Sequence, residues 1–239
     1  MPALRTVFET LLTRHSSLRS TFSEQDGRPI QIVYGHQEIY FEKIDASQDT
    51  EEELHQRVTK AYRRPFDLEK GPLLRVSLFT RSKEDHVLLI TMHHIVTDGW
   101  SVWLLMSEFL ELYPKQKAGQ VAPLPSLQYQ YPDFVRWQIE LLASSEGEHL
   151  WQYWQKQLSG ELPILDLPTD HPRPPVQSYN GASITFTLPP TLTQKLKEQA
   201  RASDATLYMI LLAAFQVLLY RYTGQDGATG KVSLICLWK

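Results

Sequence analysis

Residues 92–101 read MHHIVTDGWS and connect two segments with different hydrophobic patterns. The segment before them, residues 86–92, contains four consecutive aliphatic residues, which is typical of a strand covered on both faces. The segment after them, from about residue 101 to 112, has apolar residues at helical spacing. The pattern therefore predicts a strand, a loop with two histidines and a helix. Such a loop lies at the carboxyl end of its strand, where open α/β sheets place their ligand crevices.

Further strands and helices are predicted on both sides of this stretch. The predicted helices cover residues 4–15, 51–62, 133–158 with an interruption near 144–147, 190–203 and 206–222. The predicted strands cover residues 18–22, 29–33, 39–44, 73–79 and 182–188, and the apolar run 231–238 also fits a strand. This alternation of strands and helices predicts an α/β architecture.

Composition limits the class of protein. The 239 residues are 42% hydrophobic and 21% charged, and the net charge is −3, as expected for a globular chain with no nucleic-acid footprint. No apolar run reaches the length of about 18 residues that a membrane span needs, and the N-terminus lacks the pattern of a signal peptide. Cys236 is the only cysteine, so no internal disulfide can form. We expect a cytoplasmic protein with no membrane or nucleic-acid partner.

The two histidines and the following Asp98-Gly99 can carry chemistry. A histidine near its ordinary pKa can donate or accept a proton in acyl transfer, and an aspartate can orient it or fix the loop. Three other interpretations stay open on the pattern alone. The histidines can be core residues, they can bind zinc although no matching ligand cluster is present, and Asp98 can be only a helix N-cap.

Residues 93–99 resemble the HHxxxDG core motif of the condensation domains of nonribosomal peptide synthetases. Further stretches resemble other motifs of that family in the same order: residues 14–22, 65–75, 131–138, 167–170 and 212–215. The similarity covers residues 1 to about 226. It implies a chloramphenicol acetyltransferase-like fold with two lobes and a site between them.

The resemblance also implies a domain organisation. A first lobe, nearly complete, covers residues 1–161, and a proline-rich linker between the lobes covers residues 162–181. The start of a second lobe covers 182–239 and is truncated or divergent after about residue 226. A full domain of this family is roughly twice as long. The lobe interface would then be exposed and open to self-association.

The family joins a donor aminoacyl or peptidyl thioester to the amine of an acceptor aminoacyl thioester. By resemblance, His94 is the catalytic residue, and His93 is structural because neighbouring side chains on an extended segment point in opposite directions. Asp98 is expected to hold the loop through an ion pair with Arg19 or, as the second choice, Arg14.

Gly99 is expected to allow close approach of loop and substrate, and Trp100 and Ser101 to line the substrate tunnel. The resemblance implies no cofactor of the domain's own. Carrier proteins with phosphopantetheine arms and adjacent synthetase domains are the expected partners. Three alternatives remain: an inactive half-domain that at most binds a carrier protein, an epimerisation domain, and a free-standing acyltransferase.

Overall fold

The computed structural model describes residues 2–120, 124–160, 164–172, 174–178 and 181–225. The helices are α1 (Pro2–Arg14), α2 (Glu51–Tyr62), α3 (Gly99–Lys117), α4 (Tyr131–Leu142), α5 (Ser145–Gln157), α6 (Pro190–Ala202) and α7 (Leu207–Thr223). The strands are β1 (Ser20–Gln25), β2 (Arg28–Val33), β3 (Tyr40–Asp45), β4 (Leu74–Thr80) and β5 (His86–Met92). Single turns of 3-10 helix occur at Ser16–Arg19 and His94–Val96. The predicted α/β class and the order of elements through β5 and α3 are confirmed.

The strands β1 and β2 form an antiparallel hairpin. Its two-residue turn consists of Asp26 and Gly27, with φ angles of 52° and 73°. A two-residue type I′ turn matches the twist of a hairpin and requires positive φ at both central residues. The pair Asp-Gly adopts these angles with little strain. The local sequence therefore accounts for the turn.

A three-stranded sheet has the order β3-β4-β5, with β4 parallel to β3 and antiparallel to β5. Residues 74–79 of β4 are all buried, whereas β5 is only half-buried along most of its length. The prediction that the strand before the histidines is covered on both faces was wrong. Among the described strands, β4 is the central strand of this sheet and is covered on both faces, and β5 lies at the sheet edge.

The helices α1 and α3 pack on one face of this sheet. Phe8 is fully buried, and its ring stacks on Phe109 with 5.2 Å between centroids. Leu74, Val76 and Leu78 of β4 point into the same core. The alternate residue Phe79 packs on the other face, against Leu54 of α2. The core thus holds the middle of α3, the helix that directly follows the histidine loop.

The chain divides into two compact units, Met1–Leu142 and Ala143–Lys239. In the second unit α6 and α7 pack against each other, and Gly224 ends α7 in the left-handed conformation that glycine adopts easily. The predicted lobe boundary at residue 161 stays a prediction. The strand predicted over 182–188 is not formed: Ile184 is 90% exposed, and that segment pairs with no strand in the described ranges. The apolar run 231–238 lies outside the described residues.

Within the ranges given above, no single helix has both the length and the apolar character needed to cross a membrane. The pair α6 and α7 meets the criterion only jointly, with a bend of 103° between the two helices.

Candidate functional site

The histidine loop is held by a backbone contact at its start and by a buried side chain two residues after His94. The His93 amide donates to the carbonyl of Leu73 at 3.1 Å, which continues the pairing of β5 with β4 by one residue. The next three residues form the 3-10 turn, and Val96 anchors that turn by burying its side chain. The loop therefore has one defined conformation relative to the sheet.

The side chain of His93 faces the protein. Its Nδ1 accepts a hydrogen bond from the Ile95 amide at 3.0 Å, which caps the 3-10 turn and requires that nitrogen to be unprotonated. Its ring also meets the edge of the Phe66 ring, with centroids 5.8 Å apart. The Phe66 ring also contacts Arg75, whose guanidinium lies over it at 3.7 Å from the ring centroid. His93 is thus part of the support beneath the loop.

The side chain of His94 is exposed, and it borders two cavities. A groove of about 650 Å³ runs along it, with walls from β5 and from the start of α3. A second cavity of about 250 Å³ lies between His94 and residues that include Ser17, Gln31 and Tyr131. Within the described part of the chain, neither ring nitrogen of His94 has a hydrogen-bond partner. Both nitrogens are therefore free to contact a reactant.

Asp98 caps the N-terminus of α3. Its Oδ1 accepts hydrogen bonds from the Ser101 hydroxyl at 2.6 Å and from the Ser101 amide at 2.8 Å. These two bonds, in that order, are the main causes that lower the pKa of Asp98 below its ordinary value, and the nearby His94 adds to the effect. A capping carboxylate accounts for this aspartate without an arginine partner.

The ion pair predicted between Asp98 and Arg19 is not formed, and neither is the second choice with Arg14. Arg19 instead donates to the backbone carbonyls of Leu12 at 3.0 Å, of Thr13 at 3.3 Å and of Tyr34. Arg14 is paired with Glu108 of α3, its Nε lying 2.9 Å from Oε1. Both arginines therefore act at the end of α1, away from the aspartate.

Glu108 is a buried residue that the sequence analysis missed. Its second oxygen, Oε2, lies 2.6 Å from Nε2 of His15, so one carboxylate binds two groups at the end of α1. Gln130 extends the network, since its side chain donates to the Arg14 carbonyl at 2.9 Å and accepts from the Ser16 amide at 3.1 Å. A detectable signal existed: Glu108 lies three residues after Leu105, within the apolar stripe of α3.

The remaining predicted residues lie at the start of α3. Ser101 lines the smaller cavity and Gly99 the groove, whereas Trp100 is 84% exposed and lines neither. A side chain at Gly99 would meet no protein atom within 4 Å. Packing within the described part of the chain therefore does not require glycine there.

We expect Asp98→Asn to preserve the cap and Asp98→Ala to lose it, since asparagine and aspartate cap helices about equally well. Because the folded pKa of Asp98 is lowered, its stabilising contribution is fully present above the unfolded pKa of about 4. It is lost as pH falls through the lower folded pKa. Thermal melts from pH 5 to the acid limit should show the wild type losing stability relative to Asp98→Asn, and parallel curves would contradict the assignment.

The described residues contain no group of three or more His, Cys, Asp or Glu side chains placed to hold a metal ion. The zinc interpretation of the histidine pair therefore has no ligand set in these ranges. What the site offers is one exposed imidazole, an adjacent carboxylate that is already engaged, and two cavities.

Comparison with known proteins identifies the family. The Condensation domain family matches residues 1–231. Chondramide synthase cmdD of Chondromyces crocatus is 41% identical over 228 residues, which are 94% of this chain and 6% of that protein. Tyrocidine synthase 3 of Brevibacillus parabrevis is 40% identical over 218 residues, 91% of this chain and 3% of that protein. These relatives are synthases of which the chain covers only a small part.

Solved structures give the same fold. The X-domain from teicoplanin biosynthesis has a TM-score of 0.82 and 26% identity, covering 92% of this chain and 49% of that one. The epimerization domain from the third module of tyrocidine synthetase B has a TM-score of 0.83 at 24% identity, covering 94% of this chain and 52% of that one. The chain thus spans about half the length of these solved domains. It has the chloramphenicol acetyltransferase-like α/β fold and belongs to the condensation-domain family of peptide synthetases.

Proposed function

We propose that this chain supplies the histidine-bearing part of a site that forms peptide bonds between carrier-bound substrates. The observation that carries the proposal is the position of His94, whose exposed ring lies between two adjoining cavities. A condensation reaction brings two substrates to one point, and this arrangement provides two spaces that meet at His94, Thr97 and Asp98. Phosphopantetheine arms would arrive with the carrier proteins, which are the proposed partners together with adjacent synthetase domains.

The chemical step requires little activation of the nucleophile. The acceptor amine attacks the carbonyl carbon of the donor thioester, a C–N bond forms, and the C–S bond then breaks to release the donor arm as a thiol. A free α-amine has a pKa of about 7.7–8.0, so about one tenth of it is already neutral at pH 7. His94 therefore acts by positioning the amine, by accepting the proton that the nitrogen loses after attack and by passing it to the departing thiolate, which leaves as the thiol.

The surroundings of His94 suit this role. The larger groove is walled mainly by apolar side chains of β5 and α3, such as Leu88, Ile90 and Met106, which favour the thioester and exclude water from one side. His93 and Val96 fix the turn on which His94 stands. The imidazole is therefore oriented by the backbone and needs no hydrogen bond of its own.

A second candidate is a half-site that becomes active only with the rest of a domain. It is favoured by the solvent exposure of His94 and by the twofold greater length of the solved relatives. A site open to water on one side gives a tethered thioester a competing reaction, hydrolysis. In this case the chain binds a carrier protein and contributes His94, and a second polypeptide segment completes the enclosure. Epimerisation and free-standing acyl transfer remain alternatives that no contact in the site favours.

A single-turnover assay distinguishes these functions. The 239-residue chain is mixed with one carrier protein loaded with a donor aminoacyl thioester and a second loaded with an acceptor, and the dipeptidyl product is followed by mass spectrometry. We expect amide formation with the chain alone or after addition of the missing half of a related domain; only the first result shows a complete site. No amide in either arrangement, from a folded chain, would refute the proposed function. A change in the stereochemistry of the donor would indicate epimerisation, and turnover of a free acyl-CoA would indicate an acyltransferase.

A further inference from the structure

A third cavity, of about 750 Å³, lies between α2 and the three-stranded sheet. Its floor is the face of β3 and β4 that carries Glu42, Arg75 and Phe79, which is the face opposite the α1 and α3 core. It shares no lining residue with the two cavities at His94. We call it the basic groove, and the condensation chemistry leaves it without a role.

Positive charge is concentrated in the basic groove. Five of its lining residues are cationic: Arg57, Lys60, Arg63, Arg64 and Arg75. Only Arg57 has a carboxylate partner within the described ranges, namely Asp49. The one acidic lining residue, Glu42, accepts a hydrogen bond from the Tyr40 hydroxyl at 3.2 Å. The groove thus has surplus positive charge in a chain whose net charge is −3.

Arg75 is the cation whose environment most needs an anion. Its side chain is buried with the residue only 7% exposed, and it has no ion-pair partner in the part of the chain that the structure describes. Its Nη2 donates to the carbonyls of Arg64 at 2.8 Å and Pro65 at 3.3 Å, and its Nε has no hydrogen-bond partner. Burial, and next the charge of Arg64, lower the pKa of Arg75. A buried cation beside a like charge is unfavourable unless a counter-charge comes near.

The other walls of the groove are apolar and partly aromatic. Tyr40 presents its ring, and Ile44, Ala61 and Pro65 present aliphatic surface, whereas Phe79 lies beneath the floor and is only 1% exposed. The guanidinium of Arg64 already lies over the Tyr40 ring, 5.5 Å from its centroid, and donates to its hydroxyl at 2.9 Å. The volume falls in the range of about 300–1,000 Å³ that is usual for small-molecule sites.

We propose that the basic groove binds a small organic anion, with its phosphate or carboxylate facing Arg64 and Arg75 and its apolar body against Tyr40 and Ile44. Guanidinium groups match both anions because their N–H donors form a planar fork. The cations at the rim raise the local concentration of the ligand, and the apolar walls select a ligand that carries carbon bulk. Inorganic phosphate alone would contact the charged part of this surface and not the apolar part.

The test is a calorimetric titration of the 239-residue chain with 1-naphthyl phosphate at low ionic strength. Parallel titrations use 1-naphthol, which lacks the charge, and inorganic phosphate, which lacks the apolar body. We expect saturable binding at one site for 1-naphthyl phosphate, tighter than for either fragment and weakened by added salt. Absence of saturable binding, or equal affinity for 1-naphthol, would overturn the proposal.

Three substitutions locate the site. Arg64→Gln and Lys60→Gln should each weaken binding by about tenfold, the effect of losing one charged contact. Lys43→Gln is the matched control: it removes an exposed cation from the same strand as Glu42, on the opposite face of the sheet, and should leave the affinity unchanged. If all three variants bind like the wild type, the probe binds elsewhere and the assignment is wrong. None of these binding measurements depends on peptide-bond formation. A failure of this proposal can therefore be told apart from a failure of the proposed function.

Discussion

Glu108→Ala is expected to lower the free energy of unfolding by about 3–5 kcal/mol, the cost of removing one partner from a buried ion pair. The carboxylate is 9% exposed, and the side chains of Arg14 and His15 that it binds are each 16% exposed. Without it, the Arg14 guanidinium is left partly buried and unpaired between α1 and α3. The loss is far larger than the benefit of placing alanine in a helix, which is less than about 1 kcal/mol.

The measurement is chemical denaturation followed by circular dichroism, with hydrogen exchange of α1 and α3 peptides to localise the change. Glu111→Ala is the matched control on the same helix. Glu111 is half-exposed and pairs with Lys115 four residues on, an interaction of about 0.3–0.5 kcal/mol. A loss below about 1 kcal/mol for Glu108→Ala, or an equal loss for both variants, would show that the network does not hold the two helices together.

The local pattern of the sequence was sufficient for most elements of the first unit. The boundaries of α2 were predictable because Thr50 and Glu53 form a reciprocal capping box, and the Asp26-Gly27 turn fixes the hairpin. Each of these features depends on residues within a few positions of one another. The resemblance to a known family supplied what local pattern lacks, namely the chloramphenicol acetyltransferase-like class of the fold.

The errors arose where long-range pairing decides the outcome. Both β4 and β5 are apolar runs, and their composition does not tell which one lies at the centre; the parallel pairing of β3 with β4 across α2 decides it. Residues 182–188 have the alternation of a strand, but a strand forms only beside another. The partner of Asp98 was mistaken for the opposite reason, because there a local contact decides the outcome. A cap through Ser101, three residues away, competes with a distant arginine at much lower entropic cost.

The sequence predicted which loop carries the candidate site, but it did not predict how the side chains of that loop are arranged. The motif named His94 and His93, and the structure separates them: one ring is exposed between two cavities, and the other is packed on Phe66. Glu108 was not predicted because the role of a buried acid in an apolar stripe can be assigned only when its partners at the end of α1 are known. The basic groove was not predicted because its cations come from α2, from the segment after it and from β4, and only the fold brings them together.

His94→Ala should reduce the single-turnover rate of peptide-bond formation at least tenfold in a complete condensation domain that contains this segment. General acid–base groups typically raise reaction rates by factors of about 10²–10⁴. Because part of the amine is already neutral at about pH 7, we expect the loss of rate to lie toward the lower end of that range. The same substitution should leave the melting temperature unchanged, because the His94 ring is exposed and has no hydrogen-bond partner among the described residues. The prediction is thus a loss of rate without a loss of stability.

His93→Ala provides the comparison because it changes the neighbouring residue of the same type. It removes the cap on the Ile95 amide and the contact with Phe66, so the melting temperature should fall and the rate should fall with it. His93→Asn, whose side-chain oxygen can accept the same amide hydrogen bond, should recover part of both. Wild-type rates for folded His94→Ala would exclude His94 as the catalytic group. If His94→Ala lowers stability as much as His93→Ala, its effect on the rate would report a displaced loop and not the lost imidazole.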